Sequence, residues 1–213
     1  MRFKKIILAI LIILIAQLKA EAQDSTGAVN VAKDSVAKML VSDNPKPSGI
    51  FVAPLFGLSI PIQKLHQNST SAFNYGVRLE FASIHIYPIV IGVSFQSQKF
   101  KGSDNYKTMN LLNDFQTKVT TFGLGVDVLL NKYLKTSFTL PFITIEGKYI
   151  KVTRTILPDI ELPDIKKDDS VMGASVGLGF TLFIFDVYGN YTYAKDYSNI
   201  AMQLRLHLPL LKF

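Results

Sequence analysis

From Gly49 onward the chain alternates between apolar and polar positions. In Phe73-Asn74-Tyr75-Gly76-Val77-Arg78-Leu79-Glu80-Phe81 every odd position is bulky and apolar, and every even one is small or polar. A two-residue period marks a strand with one apolar and one polar face. Met172 to Leu182 repeats it in the opposite parity. Met172, Ala174, Val176, Leu178, Phe180 and Leu182 face one way, against Gly173, Ser175, Gly177, Gly179 and Thr181. The same count predicts eight strands over roughly 49–60, 71–83, 86–98, 117–130, 137–150, 171–183, 185–196 and 200–212. The first alternates worst, because Phe51 and Leu55 fall on its polar side. Residues 99–116 and 151–170 read as long polar loops, whereas 84–85 and 183–185 are tight. Long and short links alternating along an even number of strands predict an all-β fold, an eight-stranded antiparallel up-and-down transmembrane β-barrel with both termini on one side.

The composition of the two files decides which face meets water. A soluble lipid-binding barrel would carry Lys, Glu and Asp on its outer file. Here the polar file is mostly Gly, Ser, Thr, Asn and Gln, which suits the crowded interior of a narrow barrel. The bulky file suits lipid. Phe73, Tyr75 and Phe81 mark the ends of the second strand, and Tyr87 and Phe95 lie toward opposite ends of the third. Phe185, Tyr191 and Tyr193 do the same for the seventh. Two aromatic girdles follow. Gly123-Leu124-Gly125 and Gly177-Leu178-Gly179 put Gly at alternate positions of a strand, which reads as room in the lumen rather than a phosphate loop.

The N-terminal segment has a different pattern. Arg2, Lys4 and Lys5 precede an unbroken apolar run from Ile6 to Ala16, and Ala20-Glu21-Ala22 follows. This predicts a cleaved secretory signal over 1–22. The run would rise only about 16 Å as a helix, too little to span roughly 30 Å of hydrocarbon. Residues 23–48 are polar and end in Pro45-Lys46-Pro47-Ser48, a periplasmic leader, and 49–213 form the barrel. The signal segment carries four basic residues against one acidic, +3 of the formal +7, so the mature chain is left with +4. No arginine-rich stripe remains, and nucleic acid is not an expected partner. The 213 residues are 48% hydrophobic and 18% charged, with no Cys. Disulfides, thiolate metal sites, cysteine nucleophiles and a lipoprotein anchor are excluded.

The signal-like start, the leader, the alternating strands and the ending Leu210-Leu211-Lys212-Phe213 together resemble the small outer-membrane β-barrel proteins. The likeness in architecture is to the OmpX/OmpA-type transmembrane barrel, and more narrowly to the PorT-like group. It covers about 49–213. The resemblance implies a porin-like, monomeric barrel in the Gram-negative cell envelope, in contact with outer-membrane lipid and lipopolysaccharide. It implies that Phe213 is the assembly signal read by the barrel assembly machinery, and that the protein has no cofactor. One feature departs from the family. The apolar file of the last strand is Met202, Leu204, Leu206, Leu208 and Leu210, opposite in parity to Phe213. Pro209 lacks a donor, so a bulge beside it would reset the register.

Chemistry-bearing residues are sparse. The inward file carries Arg78, Glu80, Asp127, Glu146, Lys148 and Arg205, three positive and three negative, with His207 nearby. These predict a balanced network that plugs the lumen, with Arg205 meeting Glu80; the alternative is that some of them, Lys148 first, reach water at the rims. Outer-membrane lipid A deacylases carry a His-x-Ser pair. Here Asn68, Tyr87 and Pro209 stand two residues after His66, His85 and His207. No catalytic or metal residue is assigned. In the third loop, Leu157-Pro158-Asp159-Ile160 recurs as Leu162-Pro163-Asp164-Ile165. Its apolar residues either dock on a partner or, more simply, pack on their own rim. Glu161 and Lys166-Lys167-Asp168-Asp169 make that loop charged, but the ligand spacing of a calcium loop is missing. The function expected is a non-enzymatic surface binding or scaffold protein, acting through 99–116 and 151–170. The alternatives are an accessory barrel of a secretion or gliding apparatus and a lipid A-modifying enzyme.

Overall fold

The computed structural model describes residues 48–130, 139–160, 162 and 165–213. The signal segment, all of the leader but Ser48, and the expected link at 131–136 lie outside the described residues.

The wall is built from β1 (Ser48–Pro61), β2 (Ala72–Ser83), β3 (Ile89–Lys101), β4 (Asp114–Leu129), β5 (Leu140–Leu157), β6 (Asp168–Leu182), β7 (Phe185–Ala194), β8 (Asn199–Leu206) and β9 (Leu208–Lys212). From β1 to β8 each strand pairs antiparallel with the next, and β1 closes the ring against β8 and β9. β8 and β9 are two halves of one wall strand, so the barrel has eight staves. Two short helices sit in the links, α1 (Gln63–Asn68) after β1 and α2 (Asp104–Met109) after β3. Ser103 caps α2, its Oγ accepting from the Tyr106 N–H at 3.3 Å. No described helix is long and apolar enough to cross a membrane.

Parity follows the sequence pattern. Leu178 is 73% exposed on the outer wall, whereas Ser175 is 5% exposed inside. The two misfits of β1 also point inward, and Leu55 is buried in the lumen. Three expected boundaries differ. β4 and β5 pair from Asp114↔Leu157 down to Leu129↔Phe142, so the loops narrow to 102–113 and 158–167. Gln116, Lys151, Thr153 and Thr155 had the composition of a loop. They lie on the outer faces of strands whose inner faces hold Phe115, Val119, Val152 and Ile156. The tight link at 84–85 is the five-residue turn 84–88, because Pro88 has no N–H for the ladder and β3 starts after it.

The third difference is in the last stave, which breaks at His207. Its register to β1 holds through Phe51↔Pro209 and then shifts to Ile50↔Leu211, leaving Leu210 as the extra residue. The bulge beside Pro209 reverses the parity. Phe213 exchanges both backbone hydrogen bonds with Ser48, at 2.9 and 3.0 Å. Its ring stacks on Phe81 at 6.4 Å, on the outer wall with the apolar file.

Candidate functional site: the filled lumen

Inward side chains fill the barrel in layers. At the end nearest the chain termini, Arg205 is the centre of a charged cluster. Its Nε donates to Asp186 Oδ2 at 2.8 Å and its Nη2 to Asp127 Oδ2 at 2.7 Å. Its Nη1 lies 2.9 Å from Glu80 Oε1. The guanidinium is flanked by the rings of Phe142 and Tyr188, each centred 5.3 Å from Cζ, a stacking geometry that Arg favours over Lys. Arg78 extends the cluster. Its Nη2 reaches Asp127 Oδ1 at 3.2 Å, its Nη1 reaches Glu146 Oε1 at 3.5 Å, and its Nε is 3.2 Å from Glu80 Oε1. Glu80 Oε1 thus lies between two guanidinium nitrogens, in charge contacts that are not aligned as hydrogen bonds. Glu146 also accepts from Ser94 Oγ at 2.7 Å and pairs with Lys148 Nζ at 3.2 Å.

Every residue expected in the lumen network is brought into this cluster, and Arg205 meets Glu80 as expected. Lys148 belongs to it too: it is buried, with Thr192 Oγ1 at 3.4 Å, and does not reach water at the rim. The charge count changes, however. Asp186, which the sequence reading did not single out, is a fourth buried carboxylate. Its signal was its parity, shared with Asn190 and Thr192 on the predicted seventh strand. His207 compensates. Nδ1 is 2.7 Å from Glu80 Oε2 and Nε2 is 2.7 Å from Asp186 Oδ2. Carboxylates only accept, so both ring nitrogens donate and the ring carries a positive charge. Four carboxylates then face four cations.

Glycines make the space. A Cβ on Gly92 would run into the Arg78 guanidinium, and one on Gly179 into Tyr188. Beyond the charges comes an amide layer. Gln203 Nε2 donates across the lumen to Gln96 Oε1 at 3.1 Å, and Asn190 Nδ2 donates to Gln203 Oε1 at 3.2 Å. The far end is apolar: Phe100, Val119, Ile150, Val152 and Tyr197 close around Leu65, which α1 lowers into the mouth. A second small core, Leu112, Phe115 and Ile156, holds the two long hairpins together, with Tyr106, Leu162 and Ile165 against it. Leu162 and Ile165 of the second Leu-Pro-Asp-Ile unit therefore pack on their own rim.

His66 lies in α1 and His85 in a turn, and both are exposed. The described acids of the third loop find partners in the protein. Asp159 pairs with Lys167, Asp168 accepts from Thr153 Oγ1 at 3.0 Å, and Asp169 accepts from the Tyr197 hydroxyl at 2.9 Å.

No protein-family model matches the sequence, and no curated protein matches it. Solved structures do. Neisserial surface protein A aligns over 76% of this chain and 99% of its own, with TM-score 0.53 and 11% identity. The N-terminal β-barrel domain of Pseudomonas aeruginosa OprF aligns over 76% of this chain and 98% of its own, with TM-score 0.47 and 11% identity. Yersinia pestis Ail, the attachment invasion locus protein, aligns over 78% of this chain and 99% of its own, with TM-score 0.47 and 11% identity. At such identity the likeness is one of fold: a closed antiparallel barrel of the small outer-membrane type, as the OmpX/OmpA-type resemblance implied. The comparisons do not bear on the narrower PorT-like group.

Proposed function

We propose that the protein is a non-enzymatic barrel of the Gram-negative outer membrane that binds or scaffolds a partner outside the cell through its two long hairpins. The filled lumen carries this reading. Charged, amide and apolar layers of buried side chains stack along the bore, which favours the solvent-facing ends as the place where the protein acts. The bulky outer file is the surface that lipid covers. The loops at 102–113 and 158–167 stand on strands that continue past the aromatic rows, braced by the Leu112, Phe115 and Ile156 core. Met109 and Leu111 are both 85% exposed at the tip of the first, and exposed apolar residues on an ordered tip are contact points for a protein partner. The wall closes on itself with no free stave, which favours a monomer. Phe213, on the outer wall beside Phe81, is the residue that the assembly machinery would read.

Crosslinking in intact cells tests the reading. Replacing 104–111 or 159–166 with Gly-Ser linkers should abolish the crosslinked partner while the barrel stays folded in the membrane. An unchanged partner, or solute uptake that depends on the barrel, would contradict it. An accessory role in secretion or gliding would appear in the same experiment as capture of components of that apparatus.

A further inference from the structure

The helix at the tip of the first long hairpin stops on an unusual residue. α2 ends in two backbone hydrogen bonds, from the Leu112 N–H to the Lys107 carbonyl at 2.8 Å and from the Leu111 N–H to the Thr108 carbonyl at 3.3 Å. This pattern stops a helix by turning one residue into the left-handed region, a position that Gly or Asn usually fills. Here it is Leu111, at φ 55°. A residue with a Cβ is strained in that conformation. Leu111 is also 85% exposed, so burial of its side chain does not offset the strain.

Two other non-glycine residues among those described take a positive φ, and each has a local reason. Gln63 is a polar residue that opens α1 in water. Phe183 lies in the tight corner between β6 and β7, at the foot of the lipid-facing wall, where an aromatic ring belongs to the girdle. Leu111 has neither reason. Its loop stands past the aromatic rows, and the core below it is built by its neighbours. Leu112 is buried there, and the Tyr106 ring lies 5.1 Å from that of Phe115. Met109, in the last turn of α2, is as exposed as Leu111. The tip is therefore apolar and firmly braced. The residues around the pair in the chain, Thr108, Asn110 and Asn113, are uncharged. The two charges of α2, Asp104 and Lys107, neutralise each other at 2.9 Å.

We propose that Leu111, with Met109 beside it, is an anchor for an apolar pocket with an uncharged rim on a protein outside the cell. The inference rests on the loop partner given under Proposed function, and adds which side chain that partner takes and what its pocket is made of. A protein pocket is favoured over a membrane surface. A tip that inserts into lipid carries cations for the anionic headgroups, whereas this one is ringed by amides, a hydroxyl and one neutralised pair. The helix stop and the core beneath it hold Leu111 in place before the partner arrives, so little freedom is lost on binding. The strain then has a purpose: Gly or Asn would close the helix better but would leave the pocket unfilled.

The test is photo-crosslinking on intact cells, with p-benzoylphenylalanine in place of Asn113, which is exposed just after Leu111 and Leu112. A discrete protein adduct should form. Leu111→Gly and Leu111→Asn should each lower its yield by more than about tenfold, the loss expected when one leucine side chain is left out of a pocket. Leu111→Met should keep most of it, and added salt should not weaken it, because uncharged contacts are not screened. In the purified barrel, amide exchange at Leu112 should be no faster in the Gly and Asn variants than in the wild type, since both residues accept the left-handed conformation. Faster exchange there would overturn the strained anchor. So would an adduct indifferent to Leu111→Gly, an adduct that fades with salt, or an adduct with lipid in place of protein. Replacing 104–111 with a Gly-Ser linker separates the two failures. Loss with the linker but not with Leu111→Gly overturns the anchor alone, whereas an adduct that survives both overturns the loop partner as well.

Discussion

The two ends of the lumen are closed by opposite means. Near the chain termini, eight charged side chains interlock around Arg205. Toward the long hairpins, an apolar cluster closes around Leu65. The backbone is the same ladder at both ends, so the contrast lies in the side chains. An ion network holds only if every member is present, because a buried charge without its partner is far more costly than a pair. An apolar plug tolerates any side chain of similar volume. The charged end is therefore specified residue by residue, and the apolar end by size and hydrophobicity.

Unfolding in lipid vesicles would sharpen or break that contrast. The largest effect is expected from Glu80→Ala, about 3–5 kcal/mol, since it leaves Arg205, Arg78 and His207 short of a carboxylate. Glu80→Ala/Arg205→Ala should recover part of that loss. Strict additivity would remove the Glu80–Arg205 pair from the account. Leu178→Arg on the lipid side should cost about 2–4 kcal/mol near the midplane. Its inward control is Ser175→Ala, expected within about 0.5 kcal/mol. Gly76 is no such control, because a Cβ there meets the Phe95 carbonyl. Leu65→Ala should cost about 2 kcal/mol, the low end for a buried Leu, since α1 can settle into the space. Leu65→Met should stay under about 1.5 kcal/mol. Glu80→Gln, equally conservative in volume, should still cost about 1–3 kcal/mol. Equal tolerance of Leu65→Met and Glu80→Gln would erase the difference between the two ends.

Much of the fold was legible because a barrel with one wet and one greasy face writes its parity into every stave. Phe73 to Phe81 and Met172 to Leu182 are unambiguous, and the inward charges follow from the same count. What was not legible has local physical causes. Strand and loop have the same composition once a stave leaves the membrane, so Lys99, Lys151 and Thr153 read as loop residues although they are paired. The bulge that turns Phe213 outward was signalled by Pro209, but its place at Leu210 depends on pairing with β1. Asp186 needed the third dimension. Its parity was visible, but only the closure of the ring brings β7 and β2 to the same His207.

The central claim is that the lumen is closed, and electrical recording tests it most directly. Purified protein inserted into planar bilayers should show no steady conductance, because the charged network and the apolar plug block the bore in series. Large, stable channels in the wild-type protein would contradict the account.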